Sequence, residues 1–130
     1  MTKQEHIDYW VRSADDDWEA VESLFEARKN IQCLFFAHLV LEKMLKAHWV
    51  QDNEGDIPPR THNLVRLEDA TQLGLDESDV LFLEEFNDFQ LEGRYPDYLF
   101  EISRWCTSDI TKDLLEKTKS LIRCLHEKML

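Results

Sequence analysis

Glycine, proline and cysteine each occur only three times in the 130 residues, and each scarcity excludes something. So few glycines, with no stretch that alternates strictly apolar and polar, leave strands little support. The prolines mark breaks at Pro58-Pro59 and at Pro96 rather than a repeat or a low-complexity tract. Cys33, Cys106 and Cys124 are odd in number, far apart and without a CxxC pair, so the expectation is reduced thiols in a cytoplasmic compartment. Long apolar runs are missing too. The longest, Cys33 to Leu41, is interrupted by His38 and is far too short for a bilayer span, and the opening Met-Thr-Lys-Gln-Glu-His begins no apolar signal stretch.

Positive charge is the other shortage. Fifteen Lys and Arg face 27 Asp and Glu, for a net charge of −12. A chain this acidic lacks the broad positive field that drives autonomous binding to nucleic-acid phosphates. It is suited instead to a local basic site or to a positively charged protein partner.

What is present is a core. Hydrophobic residues make up 43% of the chain, and the charged 32% alternates with them, so the length and composition fit one folded domain over residues 1–130. Thr2 followed by Glu5 has the spacing of a capping box. After it Ile7, Trp10, Val11, Ala14, Trp18, Val21 and Phe25 form one apolar stripe, predicting a helix to about Lys29. Asn30 is placed to cap a second helix over about 31–51 that is apolar on nearly all sides, which makes it the central one. Pro58-Pro59 ends that region. Thr61 is placed to start a short third helix through Leu73, with Gly74 in a left-handed closure. Asp76 starts a fourth, carrying Phe82, Phe86 and Phe89 and ending near Arg94, because Pro96 disfavours helical geometry at Tyr95. An irregular stretch through Trp105 precedes a last helix capped by Thr107 or Ser108. The expected fold is all-α: an antiparallel bundle of four long helices and one short one.

Four patterns in order carry a resemblance. They are Tyr9-Trp10, then Phe36-Ala37-His38-Leu39-Val40-Leu41-Glu42-Lys43-Met44-Leu45-Lys46-Ala47, then Pro58-Pro59-Arg60-Thr61-His62-Asn63-Leu64, then Arg94-Tyr95-Pro96-Asp97. In this order and at these separations the chain resembles the HEPN domain family. His38 stands where many of these chains carry glutamine. The resemblance implies a small helical accessory protein that binds a nucleotide such as ATP, commonly dimerises, and is paired with a minimal nucleotidyltransferase in a toxin–antitoxin-like arrangement. It also raises two alternatives, a metal-independent ribonuclease with a degenerate site and a pure protein-interaction subunit. The ribonuclease branch uses an arginine followed four to six residues later by histidine, and Arg94, Arg104 and Arg123 all lack a histidine at that offset.

The residues marked for nucleotide are Arg94, Tyr95, Asp97, Lys46, Glu42 and His62. A guanidinium at Arg94 grips phosphate oxygens and a phenol at Tyr95 stacks on a base; the plainer alternative pairs Arg94 with a helix-end carbonyl and has Asp97 merely turn the chain. Glu42 and Lys46, one turn apart, either face a shared polar cleft or form a simple ion pair. His62 either donates to phosphate or orders the start of the third helix. His38 is expected as a hydrogen-bonded core or interface histidine. No Glu-x-x-His motif occurs, so neither a metal site nor a cofactor is expected.

Overall fold

Thr2 starts the first helix through the box its spacing suggested. Its hydroxyl accepts from the Glu5 N–H at 3.1 Å, and the Glu5 carboxylate accepts from the Thr2 N–H at 3.1 Å, satisfying two donors that a helix start leaves without intrahelical partners. Helix α1 then runs Lys3–Glu26 in the computed structural model, which describes residues 1–130. Arg28 reverses the chain with a φ of 59°. The Lys29 N–H reaches the Leu24 carbonyl at 2.9 Å and the Arg28 N–H the Phe25 carbonyl at 3.0 Å. This pair of bonds is a Schellman closure, and it delivers the chain directly into α2, Asn30–Asp52.

Helix α2 is the hub, as its all-round apolar pattern implies. It packs extensively on α1 and on the last helix, α6 (Ser108–Glu127), and also touches α3 (Leu64–Asp69), the 3-10 turn Asn87–Phe89 and α5 (Pro96–Trp105). Leu34, Leu41, Met44, Leu45 and Val50 are wholly buried. Helix α4, Glu77–Phe86, feeds the core through Leu83 and Phe86. The phenylalanine ladder continues through Phe89, with ring centroids 5.3 Å apart for Phe82–Phe86 and 4.9 Å for Phe86–Phe89. His48 Nε2 donates to the Leu125 carbonyl at 2.7 Å, a buried tie between α2 and α6. No helix is long and apolar enough to cross a membrane.

The all-α architecture matches the sequence reading; the element count and bounds differ. There are six helices, of which α1, α2 and α6 are the long ones. The stretch expected to be irregular is α5: Tyr95 is its N-cap with ψ 156°, and Pro96 is its first residue, where a missing N–H costs nothing. The fourth helix stops at Phe86 rather than near Arg94. The third is capped by Asn63, whose Oδ1 accepts from Val65 and Arg66, and not by Thr61. Asn30 lies inside α2 and ties it to the start of α6 by donating to the Cys106 carbonyl at 3.1 Å. Thr107 caps α6, accepting from the Ile110 N–H at 3.3 Å.

Candidate functional site

One face of α2 carries His38, Glu42 and Lys46, each four residues from the next and therefore stacked along the helix. All three are buried, at 0%, 4% and 8% exposure. Lys46 Nζ lies 2.9 Å from Glu42 Oε2. His62, just before α3, donates from Nδ1 to Glu42 Oε1 at 2.8 Å. Both oxygens of one buried carboxylate are thus engaged by two different elements. Desolvating such charges offsets much of their attraction, so an apolar core would serve stability as well.

Beyond Lys46 the stripe opens onto the start of α1. Lys46 Nζ sits 5.3 Å from the Trp10 ring centroid, and Trp10 meets Tyr9 edge to face at 5.3 Å. A cavity of about 320 Å³ lies here, lined by Tyr9, Trp10, Lys46, Pro58, Pro59 and Arg60 among others. Its far wall is pinned by Lys3, whose ammonium donates to the carbonyls of Val50 at 2.8 Å, Asn53 at 2.8 Å and Gly55 at 3.0 Å and pairs with Asp56 at 2.9 Å. A cation there also suits the negative C-terminal end of α2. The largest cavity, about 460 Å³ between α4 and α6, contains Lys117 but also Asp79 and Glu85, so no positive charge gathers in it.

At the other end of the stripe His38 has no hydrogen-bond partner at either ring nitrogen. Its Nδ1 stands 3.9 Å from Glu42 Oε1, and the Asn87 side chain and the His62 backbone are the polar groups that face it. Burial pulls its pKa down to about 4, against the opposing pull of Glu42, because a charged imidazole is disfavoured away from water. His38 is thus a core histidine, as expected, held neutral by burial beside Asn87 and the His62 backbone.

The six residues marked in the sequence divide into two groups. Glu42, Lys46 and His62 are brought into direct contact. Arg94, Tyr95 and Asp97 are exposed and form no hydrogen bond or ion pair with them; on the chain between, Glu92 Oε2 is 4.0 Å from His62 Nε2. Arg94 Nε donates to the Gln90 carbonyl at 3.0 Å, the turn-end pairing of the plainer alternative, and its guanidinium stacks 4.5 Å from the Tyr98 ring centroid. Tyr95 is 82% exposed, and Asp97 lies in the first turn of α5, where a negative charge is favoured. Sequence reasoning missed Lys3 and the approach of Trp10 to Lys46. The 38–42–46 spacing was visible, whereas contacts across 36 and 47 residues leave no local signal. No group of three His, Cys, Asp or Glu side chains is placed to hold a metal ion.

The HEPN domain model matches residues 7–128 of the chain. Comparison with curated proteins and with solved structures gives no match.

Proposed function

The chain belongs to the HEPN domain family, which spans its residues 7–128, and on that premise we propose that it is a nucleotide-binding accessory protein that works beside a nucleotidyltransferase. The observation that carries this reading is Lys46: a nearly buried ammonium, steadied by Glu42 at 2.9 Å and bordering an aromatic-lined cavity. A cation held this way is oriented before ligand arrives, so little ordering cost attaches to binding a phosphate. Glu42 orients Lys46 and, through Nδ1, His62, which keeps its Nε2 free of that carboxylate. Arg94 and Tyr95 form an outer group at the start of α5 that takes more distant phosphate oxygens, with Asp97 orienting them. Calorimetry with ATP tests the reading: heat of binding is expected for the wild type and a loss for Lys46→Met. A folded sample that takes up no nucleotide at millimolar ligand would remove it.

The partner half of the reading is supported by α5. None of its residues is buried, and Phe100 and Trp105 are 66% and 54% exposed. Exposed aromatics together are a feature of interfaces. Co-purification with the product of an adjacent nucleotidyltransferase gene, lost on Phe100→Glu, is the expected result. Binding that vanishes in high salt would instead assign the contact to the acidic surface.

The Glu42–His62 pair favours a second reading, a degenerate ribonuclease. A buried carboxylate that holds Nδ1 leaves Nε2 free to move a proton. RNA cleavage that is lost in both His62→Ala and Arg94→Ala would bring it forward. RNA left intact by the wild type closes it.

A further inference from the structure

The geometry points to the cleft between the start of α1 and the 56–60 segment as the seat of the base and first phosphate of a mononucleotide, a placement that rests on the nucleotide reading above. Shape is the first argument. Tyr9 and Trp10 form one wall and Pro58 and Pro59 contribute to the lining, in a cavity of about 320 Å³. This is at the lower end of the roughly 300–1,000 Å³ typical of ligand pockets, so it suits one flat ring with a small appendage. Tyr9 is 56% exposed. The Lys46 ammonium already faces the Trp10 ring, which leaves the Tyr9 ring as the open stacking surface.

Charge is the second argument. Lys3 is paired with Asp56 and Lys46 with Glu42, both at 2.9 Å, so each of these cations is matched. Arg60 is exposed and makes no ion pair. The cleft is therefore locally positive in a chain of net charge −12. Arg60 and the N–H groups of Lys46 not engaged by Glu42 are suited to the oxygens of one phosphate.

The other cavities fit less well. The apolar hollow under α5, with Phe82, Phe86, Phe89 and Trp105, also includes Glu85 and Asp88, which repel an anion. The groove between α1 and α6 has Lys119 and Arg123, but its aromatic residue, Trp18, packs against the core. It offers cations without an open ring, which makes it a useful control.

The test is calorimetry of the full chain with AMP, ATP, adenosine and inorganic phosphate, joined to NMR of the tryptophan indole N–H signals. AMP is expected to bind more tightly than adenosine or phosphate and to move the Trp10 signal, while those of Trp18 and Trp105 stay in place. Tyr9→Ala should weaken AMP about tenfold through lost stacking, and Arg60→Ala about tenfold through a lost charged hydrogen bond. Arg123→Ala should leave binding unchanged. These three side chains are exposed, so their variants are expected to melt like the wild type. Unaltered AMP or ATP binding by both Tyr9→Ala and Arg60→Ala would overturn the cleft while leaving the nucleotide reading intact. So would phosphate binding as tightly as AMP, or a loss in Arg123→Ala equal to theirs. A wild type that binds no nucleotide overturns both.

Discussion

Lys46 and Glu42 stand one turn apart on α2, their charged atoms 2.9 Å from each other and their side chains nearly sealed from solvent. The attraction is strong in such surroundings, but so is the cost of removing both charges from water. Glu42→Leu leaves a buried ammonium without its counter-ion and also releases His62. It is expected to cost about 3–5 kcal/mol, whereas Glu42→Leu with Lys46→Met should cost far less than the sum of its parts. Urea unfolding of the wild type, both single variants and the double variant measures the coupling. Strictly additive losses would show that the pair is two independent surface-like charges.

The long helices were legible because their apolar spacing outlasts any local ambiguity: α1 from Ile7 to Phe25, and α6 from Ile110 to Leu125. What failed was punctuation. Phe82, Phe86 and Phe89 keep a helical spacing across the change from α4 to a 3-10 turn, and i, i+3 neighbours adjoin in either geometry. Pro96 keeps Tyr95 out of helical geometry, as expected, but it also opens α5, and α5 buries none of its ten residues, so no fully buried stripe announces it. The site was half legible. Glu42 and Lys46 stood out as charges on an apolar helix, but their relation to His62 and Trp10 depends on how α1 and the 56–63 segment fold back on α2. No periodicity encodes that.

Arg28 offers a test of backbone strain. Its φ of 59° is in the left-handed region, which costs an L side chain roughly 1–2 kcal/mol through the Cβ–carbonyl approach. Arg28→Gly removes that clash but frees the unfolded chain, which takes back roughly 0.5–1 kcal/mol. Its side chain is exposed and forms no ion pair. The variant should therefore be more stable by up to about 1 kcal/mol, seen as a higher urea midpoint with an unchanged slope. A clear loss would mean that the Arg28 side chain makes a contact that outweighs the strain.

The three cysteines should separate by accessibility. Cys33 and Cys106 are buried, and burial pushes both thiols up to about 11, so almost no thiolate forms at neutral pH. Cys33 also donates to the Val21 carbonyl at 3.3 Å. Cys124 is half-buried and borders the cavity between α4 and α6. An aromatic disulfide reagent should release one equivalent of thiolate from the native protein, absent in Cys124→Ser, and the other two only with denaturant. Fast release of all three would contradict the burial of α2 and of the α5–α6 junction.

His38 makes stability depend on pH with a defined sign. Its ordinary pKa of 6.5 falls to about 4 in the folded protein, because desolvation outweighs the attraction of Glu42. Between those values the unfolded chain binds a proton that the native one refuses, so acid favours unfolding. The contribution is fully present above pH 6.5 and is lost as pH falls toward 4, on the order of 3 kcal/mol in all. His48, lowered in the same direction by burial, adds to the trend, and it is common to the wild type and to a variant at position 38. His38→Gln installs an amide that does not titrate and that Asn87 and the His62 backbone can meet. Its stability at neutral pH can move in either direction, so the informative quantity is the slope. The fall in unfolding free energy from pH 7 to pH 4.5 should be smaller for His38→Gln than for the wild type. Equal falls would mean that His38 is solvated and titrates alike in the folded and unfolded chain, and the buried end of the polar stripe would then be wet rather than dry.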